Sequence, residues 1–274
     1  MRKLMFGKQA VLLYAVAALL AMTVDAHADT ILGFTIASTG VQGTHGAIPG
    51  FYTDANYLYY STATDPSINP GVLQNGQNGA TPAYIMSTNA WPISGGPWDK
   101  NTGTGKWIGP IPQYTQGFLT APANTYYVYQ TTFTIPTNVN LSTVLITGTL
   151  ASDNCDTAIG INGVGLGGSV MGSNCATAGN SFSTGHQFEI GGSNSSPGST
   201  TGIYFAYSAF HTGINTIQFV VYNDGTETPN PTGLVVWNMS GQVEELPEPS
   251  TAGLVIAGIG AVAWLRRRSF YPSA

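Results

Sequence analysis

The chain has 274 residues, a formal net charge of −5 and only 8% charged residues against 43% hydrophobic ones. Between residues 29 and 246 two lysines, Lys100 and Lys106, stand against eleven carboxylates, a formal −9. That balance excludes a nucleic-acid partner, because phosphates are held by clustered Lys and Arg, and it argues against an anionic polysaccharide held mainly by charge.

At the N-terminus Arg2, Lys3 and Lys8 precede an apolar run over residues 10–22, and Ala26-His27-Ala28 supplies small residues for cleavage. This predicts a secretory signal peptide over residues 1–28, and with it export of the chain from Asp29 onward. Export places Cys155 and Cys175, the only cysteines, in an oxidising compartment and predicts a disulfide between them. It would close a loop of about 20 residues and stabilise by ~3 kcal/mol.

Residues 31–37 alternate well enough to form a first strand, 39–50 read as a Gly-rich loop, and 57–61 as a short strand. Residues 66–82 are turn-rich, with Asn75-Gly76 and Asn78-Gly79 favouring positive φ. Residues 91–122 are broken by Pro92, Pro97, Pro110, Pro112 and Pro122, which predicts irregular chain. Residues 29–120 therefore read as an irregular N-terminal part of a β-domain whose core is 121–246.

The core is clearer. Over 126–135 Tyr127, Tyr129, Thr131, Phe133 and Ile135 point one way, the pattern of a half-buried strand. Strands are predicted at 144–150 and 158–162, the latter ending at Asn162-Gly163, a type I′ hairpin signal. Others are expected at 181–190, 203–210, 216–222 and 233–243. Short strands separated by turn signals make an all-β chain, a β-sandwich or jelly roll. No amphipathic helix of useful length interrupts them.

Motifs for catalysis are missing. There is no Gly-x-Ser-x-Gly elbow and no His-Glu-x-x-His helix, and His45, His186 and His211 are isolated in sequence. A glycosidase needs two carboxyls roughly 5–10 Å apart, and nothing in the spacing singles out such a pair. The expectation is a protein that is not an enzyme and needs no cofactor, with one candidate exception. Asp153, Asn154, Asp156 and Asp224 are hard oxygen donors, as calcium requires; the alternative is plain turn chemistry. Trp91 and Trp98, in a Gly/Pro-rich stretch, are candidate glycan contacts, since sugar C–H faces stack on exposed rings. The alternative is that such rings, Trp107 above all, bury the rim of the sandwich.

The chain closes with Pro247-Glu248-Pro249, an uncharged apolar run to Leu265, and Arg266-Arg267-Arg268. Fifteen helical residues span roughly 22 Å, a short membrane helix by the usual requirement of about 20 residues. The arginines would stay cytoplasmic. This three-part tail, residues 247–274, resembles the PEP-CTERM sorting signal of Gram-negative bacteria. The resemblance implies recognition by an exosortase, membrane anchoring before processing, cleavage near the Pro-Glu-Pro, and a setting in exopolysaccharide-producing cells. Six residues follow the arginines here, where many such tails stop sooner.

The stretch from Lys106 to Val243 is similar to galactose-binding-domain-like jelly rolls. The resembling residues are Trp107-Ile108-Gly109-Pro110, Tyr129-Gln130-Thr131-Thr132-Phe133, Ala151-Ser152-Asp153-Asn154, Ile161-Asn162-Gly163, the run Asn215 to Asn223, and Asn230-Pro231-Thr232-Gly233-Leu234. That fold often serves carbohydrate recognition. The sequence thus leads to an exported cell-surface or matrix protein, associated with exopolysaccharide and not catalytic; a ligand-free structural surface protein or a secreted hydrolase are the alternatives.

Overall fold

The computed structural model describes residues 30–45, 52–65, 79–112, 120–166, 181–192, 203–206, 208–225, 229–246 and 260. The predicted signal peptide (1–28), Pro247, Glu248, Pro249 and Arg266, Arg267 and Arg268 lie outside them, as do Cys175 and Glu227. Among the described residues no helix is long and apolar enough to cross a membrane. The chain divides into two units, one of residues Met1–Thr30 with Glu245–Ala274 and one of Ile31–Glu244. All the strands belong to the second.

That unit is all-β. The strands are β1 (Ile31–Thr35), β2 (Gln42–His45), β3 (Tyr52–Thr62), β4 (Thr81–Ile85), β5 (Ile108–Gly109), β6 (Thr125–Ile135), β7 (Leu145–Asp153), β8 (Cys155–Ile161), β9 (Val164–Gly165), β10 (His186–Gly191), β11 (Ile203–Phe205), β12 (Gly213–Asn223) and β13 (Gly233–Glu244). They hydrogen-bond in the order β11-β10-β7-β13-β5-β4-β3-β6-β12-β8-β9, with β1 along β13 and β2 along β3. The sheet curls so that one wall, centred on β7 and β13, faces another, centred on β6 and β12.

Alternation accounts for the layers. Tyr127, Tyr129, Phe133 and Ile135 of β6, Ile217, Phe219 and Val221 of β12, Ile146 and Leu150 of β7, and Leu234 and Val236 of β13 share one buried core. The opposite faces are covered too, which strict hydrophobic-in, polar-out alternation does not predict. Outside the β7/β13 wall, Trp98, Trp107, Ala151, Val235 and Trp237 form a second cluster with Met86 and Ile93. Outside the other wall, Val128, Val220 and Ala158 pack with Ala80, and Leu58, Tyr60 and Tyr126 lie against them.

Three sequence expectations change. Residues 39–50, read as loop, contain β2, which pairs with β3 at Gln42↔Asp54 and His45↔Tyr52. β3 itself is eleven residues long rather than five. The reason is Asp54, which is buried and accepts the backbone N–H groups of Gly40, Asn56 and Tyr57. A carboxylate so placed takes up donors that a distorted strand pair leaves over. Finally, 29–120 is not irregular throughout, because β3 joins β6 directly over Leu58↔Gln130 to Thr62↔Tyr126. The Asn162-Gly163 turn has positive φ at both residues (52° and 78°) and joins β8 to β9, as its sequence predicts.

Candidate functional site

One end of the sheet gathers most of the polar residues that the sequence singles out. β3, β7 and β12 finish there, while β6, β8 and β13 begin there, so Thr62, Asp153, Asn154, Asp224, Asn124 and Thr232 converge from distant parts of the chain.

Asp153 is the centre of the buried part. It is the last residue of β7, 5% exposed, and lies opposite Gly233 of β13. Trp98 Nε1–H donates to its Oδ2 at 2.8 Å, and the Thr232 hydroxyl donates to its carbonyl. Burial raises its pKa from 3.8 to about 7; the Trp98 hydrogen bond opposes this and the charge of Asp224 adds to it. Beside it the Asn154 side chain accepts the Asp224 N–H at 3.2 Å. Asn230 Nδ2 in turn donates to the Asp224 carbonyl at 3.1 Å. These bonds close the loops around the carboxyl.

Of the four candidate calcium ligands, Asp153, Asn154 and Asp224 come together. The side chain of Asp156 lies outside the described residues; its backbone sits opposite Val221 in β8. Among the described residues no group of three or more His, Cys, Asp or Glu is placed to hold a metal ion. Cys155 is disulfide-bonded.

Trp98 does not form an exposed platform. It is 2% exposed, with its ring centroid 4.1 Å from that of Trp107, and Trp107 Nε1–H donates to the Asp99 carbonyl. The reading of these rings as a buried rim holds for both. A ring that can bury its face and satisfy its N–H at once has no reason to stay in water. Trp91 is half-exposed.

An accessible aromatic pair lies on the outer face of β3, β6 and β12. Tyr126 and Tyr222 are direct cross-strand partners, their ring centroids 4.6 Å apart and their planes inclined at 39°. Both are half-exposed. Tyr222 donates its hydroxyl to Asn124 Oδ1 at 3.0 Å. On the other side of Tyr126 the cross-strand neighbour is Thr62, a small residue that leaves the ring standing above a shelf. Tyr60, two residues before Thr62 on the same strand face, packs against the same Val128–Val220 cluster as Tyr126. Deeper along this face Gln218 Nε2 donates to Gln130 Oε1 at 3.1 Å. The strand alternation that puts Tyr127 and Tyr129 in the core places Tyr126 outward. The pairing with Tyr222 follows only from register.

No family profile matches the chain, and no curated protein sequence matches it. Among solved structures it is similar to the family 11 carbohydrate-binding module of the cellulosomal cellulase Lic26A-Cel5E of Clostridium thermocellum. The likeness covers 78% of this chain and 99% of that one, at 13% identity and a TM-score of 0.26. So distant a likeness carries nothing about ligands.

Proposed function

We propose that this is an exported, exosortase-processed cell-surface or matrix protein whose β-domain makes non-catalytic contacts with exopolysaccharide. The observation that carries the carbohydrate reading is the half-exposed Tyr126–Tyr222 pair with Thr62 and Asn124 around it. Tyrosine rings offer flat apolar faces with a polar tip, and amide and hydroxyl neighbours supply the few oriented hydrogen bonds such sites use. Tyr126 and Tyr222 replace the buried Trp98 as candidate contacts, and Trp91 stays a candidate beside them. A non-catalytic role is supported by Asp153, whose carboxyl is enclosed and tied to Trp98 rather than open to a substrate.

Export across the inner membrane, anchoring by the C-terminal apolar run and processing near Pro247 rest on the sequence of the two ends. Cys175 is the natural partner for Cys155, since the chain has no other cysteine. The test is retention of the full-length chain, held in an uncharged, sugar-free detergent, on the producing strain's own exopolysaccharide. Saturable retention is expected. No retention would favour a structural surface protein without a ligand. Mass spectrometry of mature extracellular protein should find no arginine cluster; an intact Arg266-Arg267-Arg268 would rule out processing.

A further inference from the structure

The tyrosine strip carries an electrostatic signature of its own. Asp65 is exposed and follows Thr62, the cross-strand partner of Tyr126, by three residues, so the chain leaves β3 for that carboxylate at the shelf. Burial first and then the Asp65 charge push the Tyr126 hydroxyl pKa up. On the far side Asp224 follows Tyr222 by two residues and is half-exposed, with its N–H tied to Asn154. Positive charge is absent from this end among the described residues. Lys106 donates its backbone N–H to Thr39, and Lys100 lies in the segment between Trp98 and Trp107, outside the opposite wall. Two tyrosine faces flanked by carboxylates, with no cation among the described residues nearby, repel uronic acids and sulfated sugars. The same arrangement attracts an ammonium group, through the rings and the carboxylates together.

We infer that the Tyr126–Tyr222 shelf takes a glycan bearing free amines, a polymer of partly de-N-acetylated amino sugars. The ring faces take the C–H surface of a sugar, Asp65 takes the amine of the same or the next residue, and Asn124 and Thr62 take hydroxyls. This rests on the proposed carbohydrate role and narrows it to one charge class.

Three oligosaccharides of equal length distinguish the outcomes in titrations of the full-length chain in sugar-free, uncharged detergent: a glucosamine oligomer, its fully N-acetylated form and an oligogalacturonate. The glucosamine oligomer is expected to bind about tenfold tighter than the N-acetylated one at low salt, from one cation–π contact and one exposed ion pair. That preference should shrink severalfold at high salt, and the oligogalacturonate should not bind. Asp65→Asn should lower the preference severalfold while leaving binding of the neutral oligomer unchanged; Asp65 is exposed, so this variant keeps its fold. Tyr126→Ala with Tyr222→Ala should abolish binding of both. Equal, salt-independent binding of the amino and N-acetylated oligomers would overturn the inference and leave the carbohydrate reading intact. An amine preference unaltered by Asp65→Asn and by the tyrosine double variant would overturn the site. Failure of all three oligomers and of the native exopolysaccharide to bind would sink the carbohydrate reading itself.

Discussion

Asp153→Asn tests the buried corner most directly. In the folded protein the Asp153 carboxyl titrates at about 7 rather than at 3.8, so the native state holds a proton that the unfolded chain releases near pH 4. Stability falls with rising pH wherever the folded state binds more protons. Asp153 therefore imposes no penalty below about pH 4. It costs progressively more between pH 4 and 7, and above that the cost is constant. A rise from 3.8 to about 7, at about 1.4 kcal/mol per pH unit, sets that cost near 4 kcal/mol. Asparagine keeps an oxygen for Trp98 Nε1–H and never ionises, so it imitates the protonated acid. Urea unfolding followed by tryptophan fluorescence should show the wild type losing about 4 kcal/mol more than the variant between pH 4 and pH 8. Burial also raises the pKa of Asp54, against four backbone N–H bonds that lower it, but that group is common to both proteins and cancels. Parallel profiles, agreeing within about 1 kcal/mol across this range, would refute the argument that Asp153 is held protonated.

Asn162 combines positive φ with three strong contacts: its Oδ1 accepts the Thr216 N–H at 2.8 Å, and its Nδ2 donates to the Ala209 carbonyl at 2.7 Å and to Asn215 Oδ1 at 2.8 Å. Asn162→Gly should lower stability by about 1–3 kcal/mol, and Asn162→Ala by about 1 kcal/mol more, read as urea midpoints at constant slope. Gly241→Ala should cost about 1–3 kcal/mol, because the new methyl meets the Phe34 ring, which stacks on Phe133 at 5.7 Å; a change below about 0.5 kcal/mol would show that Phe34 moves aside freely. Thr39 is fully buried, donates to the Lys106 carbonyl at 2.8 Å and accepts the Val236 N–H at 3.0 Å. Thr39→Val keeps the shape, leaves that N–H without its side-chain acceptor, and should cost about 1–3 kcal/mol.

The long strands rich in β-branched and aromatic residues were legible: β6, β12 and β13 fall within a few residues of where the sequence places them. The β8–β9 turn was legible because Asn-Gly has few other conformational uses. β2 and the first half of β3 were not, since Thr53-Asp54-Ala55-Asn56 looks like loop until one sees Asp54 taking up backbone donors from both sides. Trp98 misled for a related reason. Whether an indole stacks on a ligand or inside the protein depends on a partner for its N–H, and that partner, Asp153, lies 55 residues away. Tyr126 and Tyr222 stand 96 positions apart in the sequence, and only the strand register makes them one surface.

β13 runs for twelve residues with β7 along one side, and with β1 on the other from Ser240 to Glu244. A pull on the chain beyond Glu244 is therefore directed along a strand inside the sheet. Its ladder bonds lie across that direction and share the load. Such a strand yields by many bonds breaking together, as a lap joint fails, whereas a terminal hairpin would peel one bond at a time. This connectivity sets the force at which the domain unravels when it is loaded through that end.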